Sequence, residues 1–385
     1  MRKITADYIY PGNATPIKGG TISFDSEGKI RSISTKTDPK AEVFNGILCP
    51  GFVNVHCHTE LSYAKNCIPQ KSGIDQFIHD LEGLKRSVSE EEKARAIEIS
   101  IIEMQEQGIV AVGDIMNTQL SIEAKEKSKM AFYNFIEVYG SQAKDIDRNW
   151  NYALGLAAAT KGVKNIVPHA PYSLSRTLFQ KIRDYQKANA TLSIHHMESE
   201  GEAEYFLNGS GPLADRFRSW KLEQPPHIPT HRRPLASLGE FFQSADRLLL
   251  IHNTFINQED IDYANGSFKN TYYGLCPNAN LYIEGDLPPL ELLKNQSLSI
   301  CLGTDSLASN HQLSILEEMK TLNNHFKVSM EELIRWGTYN GACALGMEDN
   351  LGSLEKGKKP GILLLQNKKE GEAFDLNFSE VRVLS

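Results

Sequence analysis

The chain has 385 residues, 41% hydrophobic and 23% charged, with a net charge of −7. That is ordinary globular composition, which excludes a disordered chain and leaves room for one large catalytic domain plus something smaller. Acidic and basic residues are mixed along the chain, so neither nucleic acid nor an anionic membrane surface is expected as a partner.

No long apolar stretch follows Arg2 and Lys3, so no secretory signal is expected. The longest aliphatic runs, Leu248–Ile251 and Ile362–Leu365, are four residues each and far too short for a membrane span. Cys49, Cys57, Cys67, Cys276, Cys301 and Cys343 contain no Cys-x-x-Cys pair. They read as reduced, buried thiols of a cytoplasmic protein.

In chain order, residues 1–48 hold β-like pieces (Ile4–Tyr10, Gly20–Phe24, Ile30–Ile33) between Gly, Pro and Asp turns. Short apolar runs then alternate with amphipathic ones. Strands are predicted at Phe52–His56, Ile109–Val112, Ala131–Val138, Asn165–Val167, Leu192–Ile194, Leu248–Ile251, Thr271–Leu275 and Leu298–Leu302. Runs this short and apolar suit parallel strands buried on both faces. Between them lie helical patterns. Ser89 and Glu92 form a capping-box pair ahead of Ala94, Ile97, Ile101 and Met104, with Gly108 closing; Ser329 and Glu332 open another helix carrying Leu333 and Trp336.

Strand then helix, eight times over, predicts a (β/α)8 barrel. The alternative, a doubly wound open sheet, usually carries a Gly-rich phosphate turn, and none is present. Asn208–Arg233, rich in Gly and Pro, is expected as a long loop. From Gly352 the texture of the first 48 residues returns, in Ile362–Leu365 and Val381–Leu384. Neither end can bury much alone. They are expected to pair as one composite small β-domain, residues 1–48 plus 352–385, beside a catalytic barrel over 49–351.

The chemistry concentrates at predicted strand ends. His56 and His58 are two apart in a strand, so they share a face and can grip one ion, while Cys57 points away. His195 and His196 end the fifth strand, His252 ends the sixth, and Asp305 follows the eighth. A single histidine after an apolar run is usually a hydrogen-bonded core residue; several at successive strand ends are hard to explain that way. The mixture of imidazole and carboxylate suits zinc or iron better than calcium or magnesium.

With these residues in view, the sequence resembles the amidohydrolase superfamily, in its mononuclear branch of deaminases and chlorohydrolase-like enzymes. The matching segments are Pro50–His58, Pro168–Ser173, Ile194–Glu198, Cys276–Asn280, Leu302–Asn310 and Gly352–Lys358, in order over almost the whole chain. The resemblance implies one divalent ion, zinc or iron, bound by His56, His58, His195 and Asp305. It implies that His252 polarises the attacking water and that Glu198 moves protons to a ring nitrogen. His195 is preferred to His196 because the family motif is His-x-x-Glu, which His195 and Glu198 satisfy.

His56–Ser62 looks most like the deaminases of aminodeoxyfutalosine and S-adenosylhomocysteine-type nucleosides. Glu60 would then receive a ribose hydroxyl or an amine, or else cap the first loop. His169 and Tyr172 would line the pocket, by the same resemblance. Arg232 and Arg233 are weighed as holders of an anionic tail against ordinary solvated loop charges. Two departures stand out: Lys359-Pro360-Gly361 where relatives often carry Ala-Asp, and Asn253 where Gly commonly follows the histidine.

The activity implied is hydrolytic deamination of an aminopurine-like heterocycle by metal-activated water, in a protein whose relatives are often homodimers. The rivals are the same site with another leaving group (chloride, a cyclic amide, an imidazolone) and an inactive barrel used for binding. The second would have lost some of these groups, and all are present. The zinc cytidine-deaminase fold needs a downstream Pro-Cys-x-x-Cys, which Cys276-Pro277 does not supply.

Overall fold

A computed structural model describes residues 1–221, 228–297, 299–367 and 374–385. The eight apolar runs form strands β1 (Phe52–Cys57), β2 (Ile109–Met116), β3 (Ala131–Val138), β4 (Val163–Pro168), β5 (Thr191–His196), β6 (Arg247–His252), β7 (Thr271–Leu275) and β8 (Ser299–Leu302). Several are longer than the apolar runs, because polar residues at their ends continue the backbone pairing; His195 and His196 end β5, as expected. Leu298, expected to begin β8, lies outside the described residues.

The strands make two parallel four-stranded sheets, one in the order β4-β3-β2-β1 and the other β5-β6-β7-β8. All six residues of β1 and of β5 are buried, as strands covered on both faces must be. The two sheets meet at their C-terminal edges. The amide of His195 donates to the carbonyl of His169 at 3.0 Å, and those of Thr304 and Asp305 donate to His56 at 3.0 Å each.

The helices follow their start signals. Glu90–Glu106 opens on the Ser89/Glu92 capping box, with the Ser89 amide donating to Glu92 at 3.0 Å, and it buries Ile97, Ile101 and Met104. Met330–Gly337 opens the same way at Ser329 and Glu332 and buries Leu333 and Trp336. Asn208–Arg233 is not one loop. Pro212–Ser219 is a helix, with Pro212 in its first turn and Leu213, Ala214 and Phe217 packed inward. Pro225 and Pro226 lie outside the described residues. No described helix is long and apolar enough to cross a membrane.

Strands from both ends of the chain pair with each other. Ile362–Asn367 lies antiparallel to Ser379–Val383 and to Ile47–Pro50, and Ile47–Pro50 pairs in turn with Tyr8–Ile9. Side chains alternate across this sheet. Leu48, Ile362 and Leu364 join Ile4, Ile22 and Ile30 in a small core, whereas Ile47, Cys49, Leu363 and Leu365 face the large one.

Four of the six thiols are buried as expected. Cys343 is half-buried and Cys67 is exposed on the turn after Thr59–Ala64, where the chain leaves the core.

Candidate active site

Four of the predicted residues converge where the two sheets meet. His56 and His58 extend from β1, and their Nε2 atoms are 3.1 Å apart. The Nε2 of His195, from β5, is 3.3 Å from that of His58. Asp305, past β8, brings Oδ1 to 3.5 Å from His56 and 3.4 Å from His58. Gly303 permits this approach, since a Cβ there would stand 2.9 Å from that of His56. The pairing of β1 with β2 is irregular between Asn54 and Cys57, which re-aims the end of β1. His196 points away, its Nδ1 3.0 Å from the Asn253 side chain.

This donor set fits a cation. The His195 Nδ1–H donates to the carbonyl of His169 at 2.6 Å, which leaves Nε2 as a lone pair aimed at His58 and His56. Three imidazole nitrogens this close repel one another unless something positive lies among them. Burial holds the His58 imidazole below its usual range and His195 well below it, which favours the neutral form of each. Burial pushes Asp305 up, but His56 and the other imidazoles outweigh it and hold the carboxyl well below the usual range. His56, His58 and His195 form one group able to hold a metal; His56, His252 and Asp305 form a second that shares His56.

Glu198 and His252 stand beside this cluster, with Oε1 and Nε2 3.5 Å apart. Burial, then the charge of Asp305, raises the Glu198 carboxyl well above its ordinary value, which favours its protonated form. Burial pushes His252 down to about 3. The pair thus sets a carboxyl biased toward its acid form next to a neutral imidazole.

His169 and Tyr172 flank His195: the rings of His169 and His195 are 4.8 Å apart, and those of His169 and Tyr172 6.1 Å. Glu60 is buried with both oxygens engaged. Oε2 accepts the Asn117 amide at 3.0 Å, and Oε1 accepts the Thr118 amide at 3.0 Å and its hydroxyl at 2.9 Å. Asn253 does not line the pocket; besides meeting His196, it donates to the Leu250 carbonyl at 2.8 Å. Arg233 is neither a tail holder nor solvated. It is buried and grips Asp260 through Nε at 2.8 Å and Nη2 at 2.5 Å. Arg232 is exposed.

Several residues at the site escaped the sequence reading. Glu137, near the end of β3, faces His195 with its Oε1 3.8 Å from Nδ1. Asp114 on β2 accepts the Thr59 amide at 2.9 Å and hydroxyl at 2.8 Å, next to His58, and is paired with buried Lys125. Ser309 donates to Asp305 Oδ2 at 2.5 Å. Arg216 lies 5.5 Å over the Tyr172 ring. Asp114 and Glu137, polar residues inside mostly apolar strands, were the available signal.

Residues 47–383 match the model of the amidohydrolase family. The chain belongs to that family. This amidohydrolase is 28% identical over 373 residues to the aminodeoxyfutalosine deaminase of a Nitratiruptor species, covering 91% of this chain and 88% of that protein. It is 24% identical to the 5'-deoxyadenosine deaminase of Methanosarcina barkeri, over 92% of this chain and 81% of the relative. Its fold is shared with Helicobacter pylori aminofutalosine deaminase in complex with methylthio-coformycin, at a TM-score of 0.83 and 22% identity, covering 98% and 94% of the two chains. An adenosine deaminase from Xanthomonas campestris with bound zinc superposes at a TM-score of 0.75 and 20% identity, covering 99% and 91%.

Proposed function

We propose that this amidohydrolase is a metal-dependent hydrolytic deaminase of an aminopurine-like heterocycle, a nucleoside in the first instance, converting a ring C–NH2 and water into a ring carbonyl and ammonia. The observation that carries this reading is Glu198, a buried acid 3.5 Å from the neutral His252 and beside the His/Asp cluster. The names of the deaminase relatives support the nucleoside substrate.

In this reading His56, His58, His195 and Asp305 hold one divalent ion, zinc or iron. Bound there, such an ion supplies Lewis acidity that lowers the pKa of water from near 16 to about 7. Asp305 orients the water, and His252 accepts one of its protons as the new C–O bond forms. Glu198 gives its proton to the adjacent ring nitrogen, where negative charge would otherwise build. The proton on His252 then restores Glu198, 3.5 Å away. The remaining water proton leaves the new oxygen for the amine, the C–N bond breaks, and ammonia departs. His169 and Tyr172 wall the pocket on the His195 side.

We also infer that the two parallel sheets close as a (β/α)8 barrel over residues 49–351, with residues 1–48 and 352–385 as a composite small β-domain. The backbone hydrogen bonds across both seams and the shared fold of the deaminase structures support this arrangement.

The test is ammonia release by the metal-replete protein from adenine nucleosides, set against chloride release from chlorotriazines and ring opening of cyclic amides. Glu198→Gln is expected to keep its metal and lose about 10²–10⁴-fold in turnover, whereas His56→Ala loses the metal by elemental analysis. Chloride release or ring opening without ammonia, or a Glu198→Gln variant with normal turnover, overturns the reading.

A further inference from the structure

We propose that Glu137 is the carboxylate that accepts a hydrogen bond from the substrate, with the neighbouring His169 as second acceptor for a vicinal diol, and that Glu60 is the positioning residue behind it. The inference rests on the deaminase reading and adds which part of the substrate this amidohydrolase recognises.

The Glu137 side chain is buried on β3, and its two oxygens differ sharply. Oε2 receives the Asn117 side-chain amide at 3.2 Å. Oε1 has no hydrogen-bond partner among the described residues. Folded proteins rarely leave a buried carboxylate oxygen unpaired, because the lost hydration is not repaid.

The obvious partner, the Nδ1–H of His195, lies 3.8 Å away and already donates to the carbonyl of His169 at 2.6 Å. Glu137 therefore does not serve as the hydrogen-bonded support of that histidine. A carboxylate oxygen of Glu137 and one ring nitrogen each of His169 and His195 lie within 4.8 Å of one another.

His169 offers a second acceptor there. The Ser173 hydroxyl donates to the Ala170 carbonyl at 3.0 Å, so His169 Nδ1, 3.0 Å from the same hydroxyl, is the donor in that contact. With the proton on Nδ1, the Nε2 of His169 is left as a lone pair. Two acceptors this close to each other match two adjacent hydroxyls, the diol of a ribose.

Glu60 fits as the residue behind Glu137. Its oxygens are taken by the amides of Asn117 and Thr118, which hold the loop after β2. Tyr152 fastens the other side of that loop, its hydroxyl donating to the Asn117 carbonyl at 3.0 Å. So anchored, the Asn117 side chain pins one oxygen of Glu137 and turns the other to the pocket.

The experiment compares kcat/KM for adenosine with 2'-deoxyadenosine, 3'-deoxyadenosine and 2',3'-dideoxyadenosine. The wild type is expected to lose about ten- to a hundredfold on removal of the hydroxyls, the size of a hydrogen bond to a charged group. In Glu137→Gln the amide oxygen takes the Asn117 contact and an N–H2 faces the pocket. That variant is expected to handle adenosine and the dideoxy analogue alike, chiefly through KM, with metal content and melting temperature unchanged. Glu60→Gln moves the discrimination the same way by a smaller factor.

A wild type that releases ammonia equally from all four nucleosides overturns the proposal while leaving the deaminase reading intact, as does a folded Glu137→Gln variant that still discriminates. Ammonia from none of them overturns both. Should the variant fail to fold, the wild-type series decides.

Discussion

Met197, His252, Asn253 and Asp305 all have positive φ, between 48° and 73°, and all sit just past or at the ends of strands that carry the proposed chemistry. None is glycine, so each costs of order 1 kcal/mol or more relative to ordinary backbone. The surrounding hydrogen bonds hold them there: the Phe255 amide donates to Met197 at 2.9 Å and the Asn253 amide to His196 at 3.0 Å.

Glu202, four residues beyond Glu198, is fully buried, and burial pushes its carboxyl up to about 8 against the pull of the Met197 and Glu198 amides. Its ordinary value is 4.5, so the folded protein holds this proton more tightly than the unfolded chain does. The stability it brings is complete below about pH 4.5 and is lost as the pH rises through 8, at up to about 1.4 kcal/mol per pH unit. Between pH 5 and 8.5 the wild type should therefore lose more melting temperature than Glu202→Gln. Parallel melting profiles would show that Glu202 stays charged in the fold. At this scale the histidines and Asp305 were legible because rare chemical types recur at strand ends. Glu137 was not, because a single glutamate in a run looks like a solvated face, and Arg233 was not, because its partner Asp260 lies a loop and a strand away.

Elements were read most easily where local chemistry suffices. A capping box needs only a side chain and an amide three residues apart, and both Ser89 and Ser329 make theirs. Ser329→Ala removes the oxygen that accepts the Glu332 amide at 3.2 Å and should cost about 1 kcal/mol in urea unfolding. An unchanged midpoint would mean that packing of Leu333 and Trp336 alone holds the helix. Pro212–Ser219 was missed for the complementary reason. Gly211 and Pro212 read as loop, yet a proline at the first helical position is a start signal, and only tertiary contact decides between the two. The end of β2 was underestimated because pairing with β3, and not side-chain type, carries Asp114 to Met116 into the strand.

At the level of the whole molecule, the candidate metal site draws on both sheets. His56 and His58 come from β1 in one, His195 from β5 and Asp305 past β8 in the other. A cation held by all four ties the sheets together and binds the folded state alone. Free metal at a hundred times its Kd adds about 2.7 kcal/mol, so chelation should lower the melting temperature and restoring zinc should raise it again. A melting temperature indifferent to chelation would place the metal outside this cluster. The count of strands and their alternation with helices were readable from the apolar runs. Which strands sit at a sheet's edge was not, since neighbours such as β4 and β5 meet through backbone groups that every residue carries.

The sheet that joins the two ends of the chain sets an order of events during synthesis. Ile47–Pro50 is made before β1 to β8, whereas its antiparallel partner Ile362–Asn367 and the flanking Ser379–Val383 are made after them. Until they arrive, one side of the early strand is an open edge with Leu48 uncovered, a template for pairing with the wrong chain. That edge stays open while β1 to β8 are being made, and the arrival of Ile362–Asn367 is what closes it.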